Sequence, residues 1–328
     1  MIDLTLFAVP VFLATMAGEA APLRRHPEHK GYWAPDTRAS LTMGIGNVLE
    51  NLVMKGVQFG LLTWFSGFAL WHLEPWTWQS WVIGIVAVDF AYYWFHRCSH
   101  DVRLLWAAHV NHHSSEFYNL STALRQSWTT PFTSLPFYWP LALLGLDPAM
   151  ILAIEALNTL YQYWIHTELI DRIGPLEYVL NTASHHRVHH GTNVEYLDRN
   201  HAGIFIIWDK LFGSFEPEGA PAVYGLTTNI RTFNPLKIAF HEYQAIWRDL
   251  GRARNLREAL GYVFAPPGWS PDGSTLTSRQ LRAAASRPEP VGEALATAWK
   301  PGTGTGFRKE TCTCPGLLRG RVGEGIRP

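Results

Sequence analysis

Residues 96–113 read HRCSHDVRLLWAAHVNHH, and five of these eighteen residues are histidines. The spacing is HxxxH at His96 and His100, followed by HxxHH at His109, His112 and His113. Positions i, i+3 and i+4 lie on one face of an α-helix. Each cluster therefore predicts a helix that aims two or three imidazole rings at one point, as a metal ion requires.

A second HxxHH cluster lies farther along the chain, and a single histidine follows an apolar stretch between the two HxxHH clusters. So many imidazoles exceed the ligands of one ion, and the arrangement predicts two ions. Imidazole without thiolate suits iron, zinc, copper or nickel. We expect iron, because a catalytic zinc site usually needs three protein ligands and a water. The predicted metal ligands are His96, His100, His109, His112, His113, His166, His186, His189 and His190.

Three carboxylates are candidates for catalytic or supporting roles. Asp89 lies seven residues before His96 inside an apolar stretch, where an acid is costly and rarely without a role. We expect Asp89 to accept a hydrogen bond from a ligating imidazole; the alternative is a polar contact between helices. Glu116 and Glu168 lie close in sequence to predicted ligands, and we expect them to help balance the charge of the metal pair.

Long apolar stretches dominate the first half of the chain, and aromatic residues such as Trp71 and Trp76 cluster at their ends. This placement is typical of the aromatic belts of membrane proteins, although an aromatic-rich soluble core is the alternative. The predicted fold is an all-α integral membrane protein with about four to five membrane-embedded helices. The predicted spans are residues 4–18, 52–71, 76–95, 131–146 and 149–165.

Basic residues set the expected orientation. The loop after the first apolar stretch contains Arg24, Arg25, Lys30 and Arg38, and positive loops stay in the cytoplasm. Counting spans from that loop brings every histidine cluster to the cytoplasmic face, as a histidine-rich helical cap. Lys+Arg and Asp+Glu both number 27, so no net charge attracts nucleic acid.

The domain organisation follows from the change of composition along the chain. Residues 1–265 are expected to form one membrane-embedded domain with its catalytic core at about residues 85–216. Residues 266–328 are rich in glycine and proline with little apolar pattern, and are expected to be a disordered tail.

The strings around the histidines resemble the fatty acid hydroxylase/sterol desaturase superfamily of membrane di-iron oxygenases. The resemblance covers roughly residues 88–216. It is carried by NHHSSEFYNLSTALRQ at 111–126, WIHTE at 164–168, SHHRVHHG at 184–191, DRNHAG at 198–203 and IWDKLFGSF at 207–215. Two departures from the family pattern are Gln162, where some hydroxylases have a further histidine, and His201, where the family usually has an aromatic residue.

The resemblance implies an oxidoreductase in which two Fe ions, held by the nine histidines, activate O₂ and oxidise a C–H bond of a lipid. Within the superfamily the longer strings are most similar to the branch that cleaves ether lipids. That branch hydroxylates the carbon beside the ether oxygen, and the hemiacetal collapses to an aldehyde and a glycerol derivative. It takes electrons from tetrahydrobiopterin; a redox protein is the other kind of donor.

Two other functions remain open from the sequence. A sterol or fatty acyl hydroxylase or desaturase would share the metal site and differ in the lipid substrate. A non-catalytic membrane metal-binding or transport protein is the alternative from another class. Transporters place their ligands near the middle of the membrane, whereas these clusters lie at the ends of predicted spans.

Overall fold

The computed structural model describes residues 4–26 and 28–286 of the 328-residue chain. Within these residues the protein is all-helical, as predicted, with two isolated β-bridges in place of strands. Its α-helices are α1 (Leu4–Leu23), α2 (Ala34–Ser66), α3 (Trp78–Asp101), α4 (Arg103–His113), α5 (Leu120–Ala123), α6 (Thr130–Leu143), α7 (Pro148–Tyr163), α8 (Ala183–His190), α9 (Ile207–Leu211), α10 (Pro235–Leu250), α11 (Leu256–Phe264) and α12 (Ser278–Ala285).

Local sequence explains where the long helices begin and end. The Thr77 hydroxyl accepts a hydrogen bond from the Ser80 N–H and starts α3. The Asp147 carboxylate caps α7 by accepting the N–H groups of residues 149 and 150, and Pro148 fills the first helical position. Gly145 turns α6 into α7 with a φ of +86°, which only glycine adopts without strain. The helical hairpin predicted over 131–165 is thereby confirmed.

The main hydrophobic core lies between α2, α3, α6 and α7. Its centre is aliphatic, with Val88 of α3 and Ile151 of α7 fully buried. Gly84 lets α3 and α7 approach closely, because a Cβ there would lie 2.7 Å from the Ile154 side chain. Each buried aliphatic side chain contributes about 1.5–3 kcal/mol to the stability of the fold. The packing of these four helices therefore supports the segments that carry the histidines.

The predicted spans correspond to helices α1, α2, α3, α6 and α7. One boundary was wrong: α2 begins at Ala34, so Arg38 lies in a helix and not in the preceding loop. None of the helices in the described part of the chain combines the length and the apolar character needed to cross a membrane. On α2, Leu52 and Val53 are nevertheless exposed by more than half of their surface.

The segments after the histidine clusters pack back onto the first half of the chain. Ile238 of α10 is fully buried against Met43 of α2. Arg103 at the start of α4 donates to Glu242 at 2.7 Å and pairs with Asp249 at 2.8 Å, both on α10. These contacts hold α10 against α4.

The predicted disordered tail begins too early. Residues 278–285 form helix α12, and a capping box between Thr277 and Gln280 fixes its first turn. Its Arg282 side chain lies beside Asp198, 3.7 Å away. A short polar helix of this kind carries too little apolar pattern to be recognised from the sequence. The rest of the predicted tail, residues 287–328, lies outside the described residues.

Candidate metal centre

Four stretches deliver the histidines. The last turns of α3 carry His96 and His100, α4 ends in the first HxxHH cluster, and α8 ends in the second. His166 follows directly after α7. The chain breaks between α3 and α4 at Val102, whose backbone is extended, so the two helices fold against each other and bring their histidines together.

The first group consists of His96, His100, His109, His113 and His189. One ring nitrogen from each lies within 4.8 Å of the corresponding nitrogen of every other member. The Nε2 atoms of His96 and His109 are 2.8 Å apart, and Nε2 of His113 lies 3.1 Å from those of His109 and His189. Five nitrogens from three helices therefore converge on one volume of the size that a metal ion fills.

The second group consists of His112, His166, His186 and His190, again with nitrogens within 4.8 Å of one another. Nε2 of His166 lies 3.0 Å from that of His112 and 3.0 Å from that of His186. All four residues are buried. The rings of His113 and His190 stack with centroids 4.3 Å apart, so the two groups are direct neighbours.

The hydrogen bonds of the rings show which nitrogen can bind a cation. His96, His166 and His189 each place Nδ1 against a backbone carbonyl, at 2.7, 2.7 and 2.9 Å. A carbonyl only accepts, so Nδ1 carries the proton and Nε2 presents a lone pair. These three Nε2 atoms lie 2.8–3.1 Å from nitrogens of other imidazoles, so several ring nitrogens converge in each group as the ligands of one ion would. The donor set of both groups therefore fits a metal ion.

Electrostatics favours neutral rings. Burial, reinforced by the neighbouring histidines, lowers the pKa of seven of the nine imidazoles well below its usual range. Burial also lowers the pKa of His112 to about 4. Only the neutral form binds a metal, so these rings are ready as ligands at neutral pH. Nε2 of His100 is buried without a hydrogen-bond partner, as expected of a nitrogen that binds a metal ion.

The expected bond from Asp89 to a ligating imidazole is not made. The Asp89 carboxylate instead accepts four hydrogen bonds of 2.7–3.0 Å, from the N–H groups of residues 204 and 205, the Trp208 indole and the Asn158 amide. A Cβ at Gly203 would lie 2.8 Å from Asp89 Oδ1, so the loop comes too close to leave room for an imidazole. Asp89 therefore makes a polar contact between helices, which was the alternative prediction.

The other two carboxylates also lie away from the rings. Glu116 is partly exposed, and its backbone carbonyl accepts a hydrogen bond from Lys30. Glu168 lies 3.4 Å from His29, which is outside the two groups. Neither carboxylate hydrogen-bonds to one of the nine histidines, so their predicted role in charge balance gains no support from the contacts of the described residues.

Three residues that support the centre were not predicted. The Asp209 carboxylate accepts the N–H groups of residues 201 and 202, and so holds the loop whose carbonyl binds His96 Nδ1. Asn200 of that loop is left-handed, with a φ of 55°. Arg187 of α8 binds Glu218 through two hydrogen bonds of 2.6 and 2.7 Å. No sequence motif points to these roles, because they depend on how the loop around residue 201 and the segment around Glu218 fold back onto the histidine helices.

His201, which departs from the family's usual aromatic residue, lies beside the centre. It is buried, and its ring centroid lies 5.0 Å from that of His100 and 5.7 Å from that of His189. Its nitrogens are not part of either convergent group. The replacement of the usual family aromatic was the available signal that this position borders the site.

Two cavities reach the histidines. The first has a volume of about 520 Å³ and is lined by His109, His112 and His166 together with mostly apolar side chains, among them Phe12 and Ile45. The second has a volume of about 740 Å³, has a more polar wall and is lined by four other histidines of the nine. The centre thus lies between an apolar space and a polar one.

Residues 81–214, which contain all nine histidines, match the family model for fatty acid hydroxylase. This stretch of the chain resembles a fatty acid hydroxylase domain. It also resembles human alkylglycerol monooxygenase, with 46% identity over 240 residues, 72% of this chain and 53% of the human protein. The alkylglycerol monooxygenase of Xenopus tropicalis is 44% identical over the same shares of both chains. The chain thus spans about half the length of these relatives.

More distant relatives have other lipid substrates in their names. The ornithine lipid hydroxylase OlsE of Rhizobium tropici is 30% identical over 142 residues, 43% of each chain. The Delta(7)-sterol 5(6)-desaturase erg3B of Aspergillus fumigatus is 26% identical over 145 residues, 42% of this chain and 40% of the desaturase. No solved structure matches the chain. The chain is therefore similar to proteins whose names differ in substrate and in reaction.

Proposed function

We propose that this chain is an oxidoreductase, a membrane di-iron oxygenase that hydroxylates a C–H bond of a lipid with O₂. The observation that carries the proposal is the division of nine imidazoles, eight of them buried and that of His109 half-buried, into one group of five and one of four. Two Fe ions bound there would supply the redox chemistry that O₂ needs. The protein's own part is to hold the ions, to orient the lipid and to exclude water.

Iron accounts for the ligand number better than zinc does. A catalytic zinc ion takes three protein ligands and a water, and a structural zinc ion takes four. The group of five exceeds both numbers, and an all-imidazole set suits iron as well as it suits zinc. A purely structural metal site would also have no use for two cavities that end at its ligands.

A lipid is the substrate class that fits the first cavity. Its walls include Phe12 and Leu13 of α1, Ile45 of α2 and Phe95 of α3. Burying an alkyl chain against such walls contributes about 0.8 kcal/mol per CH₂ group. The cavity ends at His109, His112 and His166, so a chain bound in it would bring a C–H bond to the border of both groups.

We propose an ether lipid, specifically an alkylglycerol, as the substrate. The support is the identity of 44–46% to vertebrate proteins named alkylglycerol monooxygenase. Hydroxylation of the carbon beside the ether oxygen gives a hemiacetal, which collapses to a fatty aldehyde and glycerol. The reaction consumes two electrons per O₂, and tetrahydrobiopterin is the donor that the resemblance implies.

Membrane insertion is part of the proposal. Apolar side chains that are exposed by about half or more of their surface lie along the first long helices: Ile45, Leu49, Leu52, Val53, Val57, Trp64, Val82 and Ile83. Contiguous exposed apolar surface of this kind marks membrane or protein interfaces. Arg24, Arg25 and Lys30 would lie on the cytoplasmic side under the positive-inside rule, together with the histidine groups.

The test is a reconstituted reaction with defined lipids. Full-length protein purified in detergent and loaded with Fe²⁺ is given a 1-O-alkylglycerol, O₂ and tetrahydrobiopterin, and the products are analysed by mass spectrometry. We expect the fatty aldehyde and glycerol, and neither from the H112A variant. Turnover of a sterol or an acyl lipid instead would support the oxygenase activity and contradict alkylglycerol as the substrate. Aldehyde formation without iron would contradict the metal centre itself.

A further inference from the structure

The second cavity meets a different set of histidines from the first. It is lined by His100, His113, His189 and His190, and shares no lining residue with the apolar cavity. Its walls come from α4, α10, α11 and the segments 225–230 and 267–281. The candidate metal centre is therefore accessible from two separate spaces, and the lipid accounts for only one of them.

The chemistry of this wall suits a polar ligand better than a lipid chain. Three arginines and four acidic residues line it, together with several hydroxyl side chains. An alkyl chain would remove these groups from water and offer them no hydrogen bonds of its own. We therefore expect a polar molecule in the second cavity.

The charges also limit the kind of polar molecule. Arg103 is already neutralised by Glu242 and Asp249, at 2.7 and 2.8 Å, and Arg252 lies 3.4 Å from Asp249. The acids outnumber the arginines by one. A ligand with several phosphates, such as a dinucleotide, would face a wall with little free positive charge. A neutral or weakly basic ligand fits better.

Aromatic side chains line the cavity next to the histidines. The Trp106 ring centroid lies 5.0 Å from that of His100 and 5.5 Å from that of His113. Trp269 also lines the cavity and packs edge-on against Tyr262, 5.6 Å away. Flat aromatic surfaces of this kind stack with planar rings. The walls thus combine stacking surfaces with hydrogen-bonding groups.

We propose that the second cavity binds the reductant of the reaction, as a small, planar, neutral or weakly basic heterocycle that gives two electrons and two protons. This assignment rests on the proposed function. The reaction balances as lipid C–H plus O₂ plus reduced heterocycle, giving lipid C–OH, H₂O and the heterocycle oxidised by two electrons. A volume of about 740 Å³ is in the usual range of small-molecule sites, whereas a redox protein would dock on an outer surface.

Substitutions of Trp269 test the assignment with tetrahydrobiopterin as the probe. Trp269→Leu removes a stacking surface, and we expect the KM for tetrahydrobiopterin to rise roughly tenfold while the KM for the alkylglycerol stays unchanged. Trp269→Phe keeps a smaller ring and should give an intermediate value. Trp247→Leu is the matched control, because Trp247 is exposed and lines neither cavity.

A binding measurement gives a readout without turnover. Calorimetry of the full-length protein with tetrahydrobiopterin, without O₂ and lipid, should show the same order: wild type and Trp247→Leu tightest, then Trp269→Phe, then Trp269→Leu. NADH should not bind. If the wild type binds the probe in this order but oxidises no lipid, the proposed function fails and the binding site stands. If lipid is oxidised while Trp269→Leu binds the probe like the wild type, or only a redox protein supplies electrons, the assignment of this cavity is wrong.

Discussion

At the scale of single residues, the candidate centre depends on which nitrogen of each imidazole carries the proton. Backbone carbonyls accept hydrogen bonds from the Nδ1–H groups of His96, His166 and His189. The Nε2 atoms of these rings are therefore free to bind an ion. The histidine spacing predicted which residues converge. It could not predict the tautomers of His96 and His189, because their carbonyl partners belong to residues 201 and 199 of a distant loop.

Removal of one ligand tests the division into two groups. In the H112A variant the group of four loses a nitrogen that lies 3.0 Å from His166 Nε2, while the group of five is intact. We expect bound iron to fall to about one ion per chain and lipid oxidation to be lost. Plasma mass spectrometry of the purified protein measures the iron. His72→Ala, at an exposed position, is the control, and retention of both ions in H112A would contradict the division.

For Asp89, the residue type predicted an important role but not the hydrogen-bond partners. A carboxylate inside an apolar stretch predicted an important role, and the four hydrogen bonds it accepts agree with that. The partner could not be inferred, because the loop that donates to it is about 115 residues away in the chain. Sequence reasoning therefore singled out the right residue and assigned it the wrong contact.

The Asp89→Asn variant tests that contact. An amide would place N–H donors against groups that are themselves donors, and a buried unpaired donor costs about 1–3 kcal/mol. We expect the free energy of unfolding to fall by about 3 kcal/mol or more in total, as measured by denaturant titration in detergent. Asp171→Asn, at an exposed position, should leave it unchanged. A D89N protein as stable as the wild type would mean that the carboxylate does not anchor the loop.

At the scale of the elements, helix geometry explains why neighbouring histidines belong to different groups. Consecutive residues of an α-helix point about 100° apart. His112 and His113 of α4 therefore belong to different groups, as do His189 and His190 of α8. The HxxHH spacing was enough to predict helices with histidines on one side. It was not enough to assign each ring to a group, which depends on how α3, α4 and α8 pack.

The contacts of Arg187 hold α8 in place and provide a test at this scale. Its guanidinium binds Glu218 twice and also donates to the carbonyls of Thr167 and Ile170, at 3.1 and 2.7 Å. Lysine keeps the charge but cannot form the planar fork. We expect Arg187→Lys to lower the free energy of unfolding by about 2 kcal/mol and to release iron to a chelator faster. Arg254→Lys, at an arginine whose side chain is exposed, should do neither, and unchanged iron release in Arg187→Lys would refute this role for α8.

At the scale of the whole molecule, the arrangement places a metal centre between an apolar and a polar cavity. The apolar stretches were enough to predict helices α1, α2, α3, α6 and α7. The cavities could not be predicted, because each is lined by residues from several helices that are far apart in the chain. Packing of this kind is a property of the folded molecule and leaves no local pattern.

Membrane insertion is a prediction for the whole molecule. Membrane insertion would bury the exposed apolar side chains of α2 and α3 in lipid. The transfer of apolar surface out of water contributes about 25 cal/mol per Å², so this burial is strongly favourable. We expect the full-length protein to sediment with membranes, to stay there in 1 M salt and alkaline carbonate (~pH 11), and to be released by detergent. Recovery in the supernatant after the carbonate wash would contradict insertion.

The central claim is that the nine histidines hold two iron ions, one in the group of five and one in the group of four. The most direct measurement is the metal content of the full-length protein purified from iron-replete cells, set against its lipid oxidation. The account predicts about two Fe per chain and oxidation in proportion to the iron bound. Full activity in iron-free protein, or two zinc ions in the active protein, would contradict it.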